Sequence, residues 1–235
     1  VGAVGSTSTL LTLFTGFLIG LGAGINVKVA QYLGANKDGD VKKTVNTALI
    51  LSVCMGLIIF AASFFFARGM LELLKTKDEL LDKAVIYLKI YSCGMPALAI
   101  FNYGNGVLSA AGDTKRPLIY LTISGLLNIA LNLFFVLRCG LDVEGVALAS
   151  VITQYLSAIA VTVRLLNVKG VHKLEFKGFS VDKKKTGEIL GLGIPAGLQN
   201  AVFSVANMFI QVGINSFPYK EVTGITTAMN IDTVI

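Results

Sequence analysis

Residues 117–137 read PLIYLTISGLLNIALNLFFVL, 21 residues without a charge, set between Arg116 and Arg138. A helix rising about 1.5 Å per residue needs about 20 apolar residues to cross the hydrocarbon core of a bilayer. A spanning strand would need about ten residues of alternating polarity, and this run is twice that length and does not alternate. Backbone amides cannot stay unpaired in lipid, so the stretch reads as a transmembrane helix. The same uncharged pattern recurs at 1–27, 44–67, 90–112, 145–163 and 189–219, and another such run begins after Glu221. In chain order these are segments a to f, 117–137 being d, with a partial g. The fold class that follows is all-α, a polytopic bundle of transmembrane helices.

Composition points the same way. The chain is 54% hydrophobic and only 14% charged, against about 25% charged in a soluble domain. Too little charge remains to cover a surface that faces water, so the lipid bilayer is the expected partner. The net charge of +6 does not signal nucleic acid, because the basic residues sit in short spacers between apolar runs. The chain opens without Met in an apolar stretch and stops inside another, so it reads as a piece of a longer protein.

Charge also orients the spans. Most basic residues lie in alternate spacers: Lys28, Lys37, Lys42 and Lys43; Lys115 and Arg116; and Arg164, Lys169, Lys173, Lys177, Lys183, Lys184 and Lys185. By the positive-inside rule the spacers 28–43, 113–116 and 164–188 are cytoplasmic and residue 1 lies outside. The expected location is a plasma (inner) membrane, crossed many times.

Glycines at 16, 20 and 24 in segment a, and at 193 and 197 in segment f, are four apart. Such spacing lets two helix backbones approach closely in lipid. Pro96 and Pro195 lie inside spans and should kink them. Cys54, Cys93 and Cys139 lack metal-ligand spacing and read as small buried apolar residues. His172, the only histidine, sits in a basic spacer and reads as solvated. Neither a metal nor a catalytic set is expected, and an enzyme is not indicated.

The chemistry lies in polar stripes. Segment c carries Asn102, Asn105 and Ser109; segment d carries Ser124, Asn128 and Asn132; segment e carries Ser150, Thr153, Gln154 and Ser157. Segment f carries Asn200, Ser204, Asn207, Gln211 and Asn215. Spacings of three and four put each set on one helix face. Amides are costly in hydrocarbon unless satisfied, so the stripes must face one another as interhelical glue or face a wet cavity. Four stripes together favour a cavity, neutral and polar on one side and apolar on the other. Segment b is nearly all apolar through its middle and is expected to face lipid more. No Asp or Glu lies inside segments a to f, which leaves Asp232 as the candidate intramembrane carboxylate.

Several motifs resemble the MATE (multidrug and toxic compound extrusion) transporters. AQYLGA at 30–35 looks like the end of their second helix, and NGVLSAAGDTKRP at 105–117 like the turn between their fourth and fifth. LLNIALNLFFV at 126–136, VEGVALASVITQ at 143–154 and GIPAGLQNAVFS at 193–204 resemble helices five, six and seven. The resemblance implies twelve helices in two lobes, with this chain covering about helices two to seven and the start of eight. It divides the chain into the remainder of a first lobe (1–167), a basic cytoplasmic linker (168–188) and the start of a second lobe (189–235).

It also implies a monomer that exports amphipathic or cationic drugs or metabolites in exchange for H+ or Na+, with no other cofactor. Asn128 falls on an asparagine of the family's first-lobe coupling set, and Ser150 where a threonine is common. Asn132 falls where many relatives carry aspartate, and Phe203 and Ser204 where a sodium-coupled branch carries glutamate. Asp232 falls near an acidic position of helix eight. The expected cavity residues are Asn102, Asn128, Asn132, Ser150, Gln154, Asn200, Asn207 and Gln211. The alternatives are a lipid-linked oligosaccharide flippase of the same superfamily and a non-transporting membrane protein. A flippase would be expected to carry mid-span Lys or Arg for pyrophosphate, and the spans have none.

Overall fold

The uncharged runs fold as helices, and so do parts of the spacers between them. The computed structural model describes residues 2–74, 78–175 and 181–214, with the backbone alone for 2–6, Asp78, Ser204, Val205 and 207–214. Among these residues the order is α1 (Gly2–Gly34), α2 (Asp38–Phe65), α3 (Ala67–Leu73), α4 (Asp78–Ser92), α5 (Met95–Ala110), α6 (Lys115–Leu137), α7 (Val143–Asn167) and α8 (Lys183–Ile214), with no strand. α1, α2, α6 and α7 are each long and apolar enough to cross a bilayer, and α4 with α5 passes the same measure only when taken together as a bent pair. Of the run 189–219 the described part ends at Ile214 in α8, and the partial segment g lies outside the described residues.

Helices here end where the backbone turns, not at the first charge. α1 runs through Lys28 and closes at Asn36, whose φ is 54°. α5 ends in a Schellman turn: Gly112 N–H donates to Ser109 O (3.0 Å) and Asp113 N–H to Leu108 O (2.9 Å). Gly112 has φ 84°, which a residue with a Cβ rarely adopts. That turn explains the tight spacer before α6.

Segment c departs from the single kinked span expected for 90–112. The chain breaks after Ser92 and resumes at Met95 with a 45° bend. Pro96 lies in the first turn of α5, where its missing N–H has no helical partner to lose. The bend therefore falls at Cys93 and Gly94, ahead of the proline.

Segment b exposes Leu57 and Ile58 on one side and packs on the other. α2 buries Thr44, Thr47, Ala48, Ser52, Gly56, Ile59 and Ser63 along one side. These mostly small residues let α5 approach: a Cβ at Gly56 would stand 2.8 Å from Pro96 Cα. A hydropathy reading scores such a face as apolar and misses that it is a contact. Ile58 is 59% exposed while neighbouring Ile59 is 7% exposed. The most exposed span is α6, which buries only Pro117 and Ser124 among its residues.

The glycines of α1 and α8 meet. A Cβ at Gly20 would overlap the Gly197 backbone, and one at Gly24 would stand 2.7 Å from Gly193 N. Asn200 Nδ2 donates to Gly16 O at 3.1 Å, at the far end of this seam. Leu21, Ile25 and Val29 of α1 pack with Val41, Val107, Leu165, Leu174 and Ile189 in one core.

That core brings the three basic spacers to one end of the bundle. Lys185 is 4% exposed there. Its Nζ lies 2.9 Å from Asp40 Oδ1 and 3.7 Å above the Tyr32 ring centroid, while the Tyr32 hydroxyl donates to Glu188. Burial alone would lower the Lys185 pKa, but hydrogen bonds with Tyr32 and Asp40 outweigh it and raise it. Asp182 caps α8, accepting from Lys184 N and Lys185 N. Beside them Asp113 accepts from Arg116 and Arg164 at 2.6 and 3.2 Å. Desolvation would raise its carboxyl, and the two guanidiniums hold it below the usual range instead. His172, in the same basic region, is pushed down by burial and then by Arg164, which favours the neutral ring.

Candidate functional site

The polar stripes of segments d and e face each other. Asn132 lies one turn beyond Asn128 on α6, and its Nδ2 donates to Asn128 Oδ1 at 3.0 Å. Asn128 Nδ2 in turn reaches Ser150 Oγ and Thr153 Oγ1 on α7, both at 3.4 Å. A turn further along, Ser124 and Ser157 hydroxyl oxygens are 2.6 Å apart. Ser150 and Thr153 also donate back to carbonyls in their own helix, Val146 O and Ala149 O. These back-bonds fix the hydroxyl lone pairs toward α6.

Ser124, Asn128, Ser150, Thr153, Gln154 and Ser157 line an open cavity of ≈ 340 Å³ with Tyr91, Leu98, Phe101 and Leu121 on its other sides, and Asn132 lies one turn beyond its lining. No Asp, Glu, Lys, Arg or His lines it. Its polar wall is made of amides and hydroxyls, and its other wall is aromatic and aliphatic. Two side-chain oxygens, Asn132 Oδ1 and Gln154 Oε1, are buried without a hydrogen-bond partner. Both are amide carbonyl oxygens, which accept but do not titrate. Such atoms can take a water, a donor or a hard cation, and a buried one left empty costs about 1–3 kcal/mol.

Not every expected residue is here. The structure brings together Asn128, Asn132, Ser150 and Gln154. Asn102 is buried on α5, bonds back to Leu98 O (2.9 Å), and faces a separate groove of ≈ 280 Å³ against α1, with Asn26, Asn105 and Ser109. Asn200 lines a third cavity, ≈ 470 Å³, between α1 and α8, with Thr12, Thr15, Tyr91 and Phe203. The side chains of Asn207 and Gln211, and all of Asp232, lie outside the described residues. Among the described residues, no three His, Cys, Asp or Glu side chains are grouped to hold a metal.

Sequence reading missed three residues. Tyr91 precedes the helix break and carries no polar periodicity of its own. Asn26 lies four residues from Gly22, whose Cα faces the Asn102 backbone, and that pairing was the available signal. Lys185 sits in a run of three lysines with nothing local to single it out.

The MatE family profile matches residues 1–134. The chain is 28% identical over 239 residues to "Probable multidrug resistance protein YpnP" of Bacillus subtilis (strain 168), covering 100% of this chain and 52% of that protein. It is 23% identical to "FAD transporter" of Shewanella oneidensis (strain MR-1), covering 99% of this chain and 52% of that protein. An outward-facing structure of a multidrug resistance MATE family transporter of the MOP superfamily superposes with a TM-score of 0.90 at 23% identity, over 99% of this chain and 52% of that one. The crystal structure of MATE in the bent conformation gives 0.89 at 24% identity. The chain thus spans about half the length of the relatives it matches, and the structures share its fold.

Proposed function

The chain belongs to the MatE family, and from that premise we propose that it serves the export of amphipathic or cationic organic molecules, driven by inward movement of H+ or Na+. The observation that carries this reading is the uncharged cavity where α6 and α7 turn Asn128, Ser150, Thr153 and Gln154 toward one another, with Asn132 bonded to Asn128 one turn beyond. An interface that only glued two helices would close over these groups. This one leaves ≈ 340 Å³ between the two helices and their neighbours.

The residues divide the work by chemistry. The amide and hydroxyl oxygens ligate a cation or its water. They cannot themselves carry a proton, because no lining group titrates near neutral pH. A proton-coupled cycle would draw on a carboxylate elsewhere, for which Asp232 is the candidate in this chain. The organic solute is assigned to the ≈ 470 Å³ cavity where Thr12, Thr15 and Asn200 stand opposite Phe203. A relative is named an FAD transporter, but no Lys or Arg lines either cavity to hold a diphosphate. The same point counts against a flippase for pyrophosphate-linked sugars. In this reading residues 1–167 are the rest of a first lobe, 168–188 a linker and 189–235 the start of a second. The end holding Lys185, Lys42 and Arg116 faces the cytoplasm across a plasma membrane, and the protein works as a monomer without an enzymatic step.

The test is efflux of ethidium from right-side-out vesicles holding the full-length protein, with an imposed H+ or Na+ gradient. Efflux that follows one gradient and stops when it collapses supports the reading. Efflux indifferent to both gradients, or none at normal expression, contradicts it.

A further inference from the structure

The α6–α7 cavity and the α1–α8 cavity share one lining residue, Tyr91. Its ring stands where the two spaces approach, on the last turn of α4, packed beside Tyr87 and Leu98. The backbone there is not a continuous helix. Cys93 N–H turns back to Ile90 O at 3.1 Å and Gly94 N–H to Tyr91 O at 2.9 Å, and the chain leaves in a new direction. Tyr91 therefore sits on the rim of a break, where a small change in two or three dihedrals moves the ring without unwinding a helix.

Residues of α7 brace that break. Tyr155 Oη donates to Cys93 O at 3.1 Å. Gln154 fills the space over Gly94 that any Cβ would occupy, and its amide lies against the Tyr91 hydroxyl. The atom that lies over Gly94 is Oε1, which is buried without a hydrogen-bond partner. One side chain thus touches the break, the ring on its rim and the polar cavity together. Gln154 also lines the α6–α7 cavity, so a change in what fills that space that shifts this side chain shifts the group that steadies Tyr91.

We propose that Tyr91 is the partition between the two cavities and that Gln154 sets its position according to what occupies the α6–α7 site. Tyr91 is a positioning residue in this account. It gives communication between the two cavities without a charged relay, which suits a site built of amides. The partition itself stands on the geometry, and only the identity of what fills the two cavities rests on the export reading.

The test uses the full-length protein with its native cysteines replaced, carrying either Ser150→Cys in one cavity or Thr15→Cys in the other. A membrane-impermeant methanethiosulfonate reagent is added from each side in turn. With Tyr91 in place, Ser150→Cys should react slowly. Tyr91→Ala should speed it about tenfold, equivalent to ~1.4 kcal/mol of barrier, while Thr15→Cys changes little. Gln154→Leu, which keeps the ring but removes its brace, should speed it by a smaller factor. The proposal is overturned by fast labelling of Ser150→Cys with Tyr91 present. It is equally overturned by rates unchanged in both variants, or by equal acceleration at both cysteines, the sign of general loosening. These rates do not depend on ethidium export, so loss of the export reading and loss of the partition would be told apart.

Discussion

The α1–α8 seam and the α6–α7 pair are both built on a four-residue spacing, and they end up as opposites. Along α1 and α8 the repeated residue is glycine, and the backbones close until a Cβ at Gly20 would overlap Gly197. Along α6 the repeated residues are Ser124, Asn128 and Asn132, and the helices stay far enough apart to leave ≈ 340 Å³ between them and their neighbours. Periodicity fixes which face of a helix is used. The side chain at that period decides whether the face seals or stays hollow. In lipid no hydrophobic effect pulls helices together, so side-chain size and hydrogen bonding set the separation.

The seam offers the largest way to break the contrast. Gly20→Ala drives a methyl group into backbone that cannot swing aside, and should cost about 2–3 kcal/mol or more. Gly191→Ala on α8 meets nothing within 4 Å and should be neutral or raise stability by up to ~1 kcal/mol through helix propensity. Thermal unfolding of the two variants in detergent checks this. Equal losses would mean that the seam is not closed on glycine.

A second, smaller effect belongs to the end of the seam. Asp40→Asn leaves the buried Lys185 ammonium without its closest anion, whereas Lys185→Met strands carboxylates that are partly solvated. Asp40→Asn should therefore lower the melting temperature more, by removing the partner of the more buried charge. The reverse order would mean that the Tyr32 ring contact dominates.

On the hollow side, Asn132 is the sharper probe. Asn132→Ala should weaken efflux without moving its pH midpoint, because an amide does not titrate. Asn132→Asp adds a titrating group, so efflux should gain a pH dependence that the alanine variant lacks. Efflux against pH in vesicles separates the two. No new dependence in Asn132→Asp would place that side chain away from water.

The smallest effect is expected at Asp113, outside both regions. Its carboxyl pKa is lowered in the fold by Arg116 and Arg164 against desolvation. Its stabilisation is thus present above the unfolded pKa and lost as pH falls through the lower folded value. Asp113→Asn should flatten that acid limb in melting curves taken from neutral to acid pH. An unchanged acid limb would remove the ion pairs from the stability account.

Much of this was legible before any coordinates. The uncharged run 117–137 is α6 within two residues, and the glycines of segments a and f are the ones that meet. The sequence does not say which stripe meets which. Asn102 and Asn200 have the same residue type and spacing as Asn128, yet they face other cavities, because phase along a helix names a face and not a neighbour. The apolar reading of segment b left out its packed side for a related reason. Thr47, Ser52 and Gly56 are small enough to be a contact surface, and an average over hydropathy hides that. Tyr91 and Lys185 were out of reach, since each takes its role from residues far along the chain: Gln154 and Asn200 for one, Tyr32 and Asp40 for the other.

The central claim is that the amide face of α6 bounds a wet working site, while an equally apolar-flanked face of α2 does not. Its most direct test compares Asn128→Leu with Ile58→Phe, at matched expression of the full-length protein, by the initial rate of gradient-driven ethidium efflux. Ile58 is 59% exposed on the outer side of α2 and tolerates bulk there. Asn128→Leu should lower the rate at least about tenfold, by removing the donor that links α6 to Ser150 and Thr153 and by desolvating the cavity, a loss of ~1.4 kcal/mol or more. Ile58→Phe should stay near wild type. Equal losses in the two variants would contradict the claim and return the α6–α7 stripe to the role of glue.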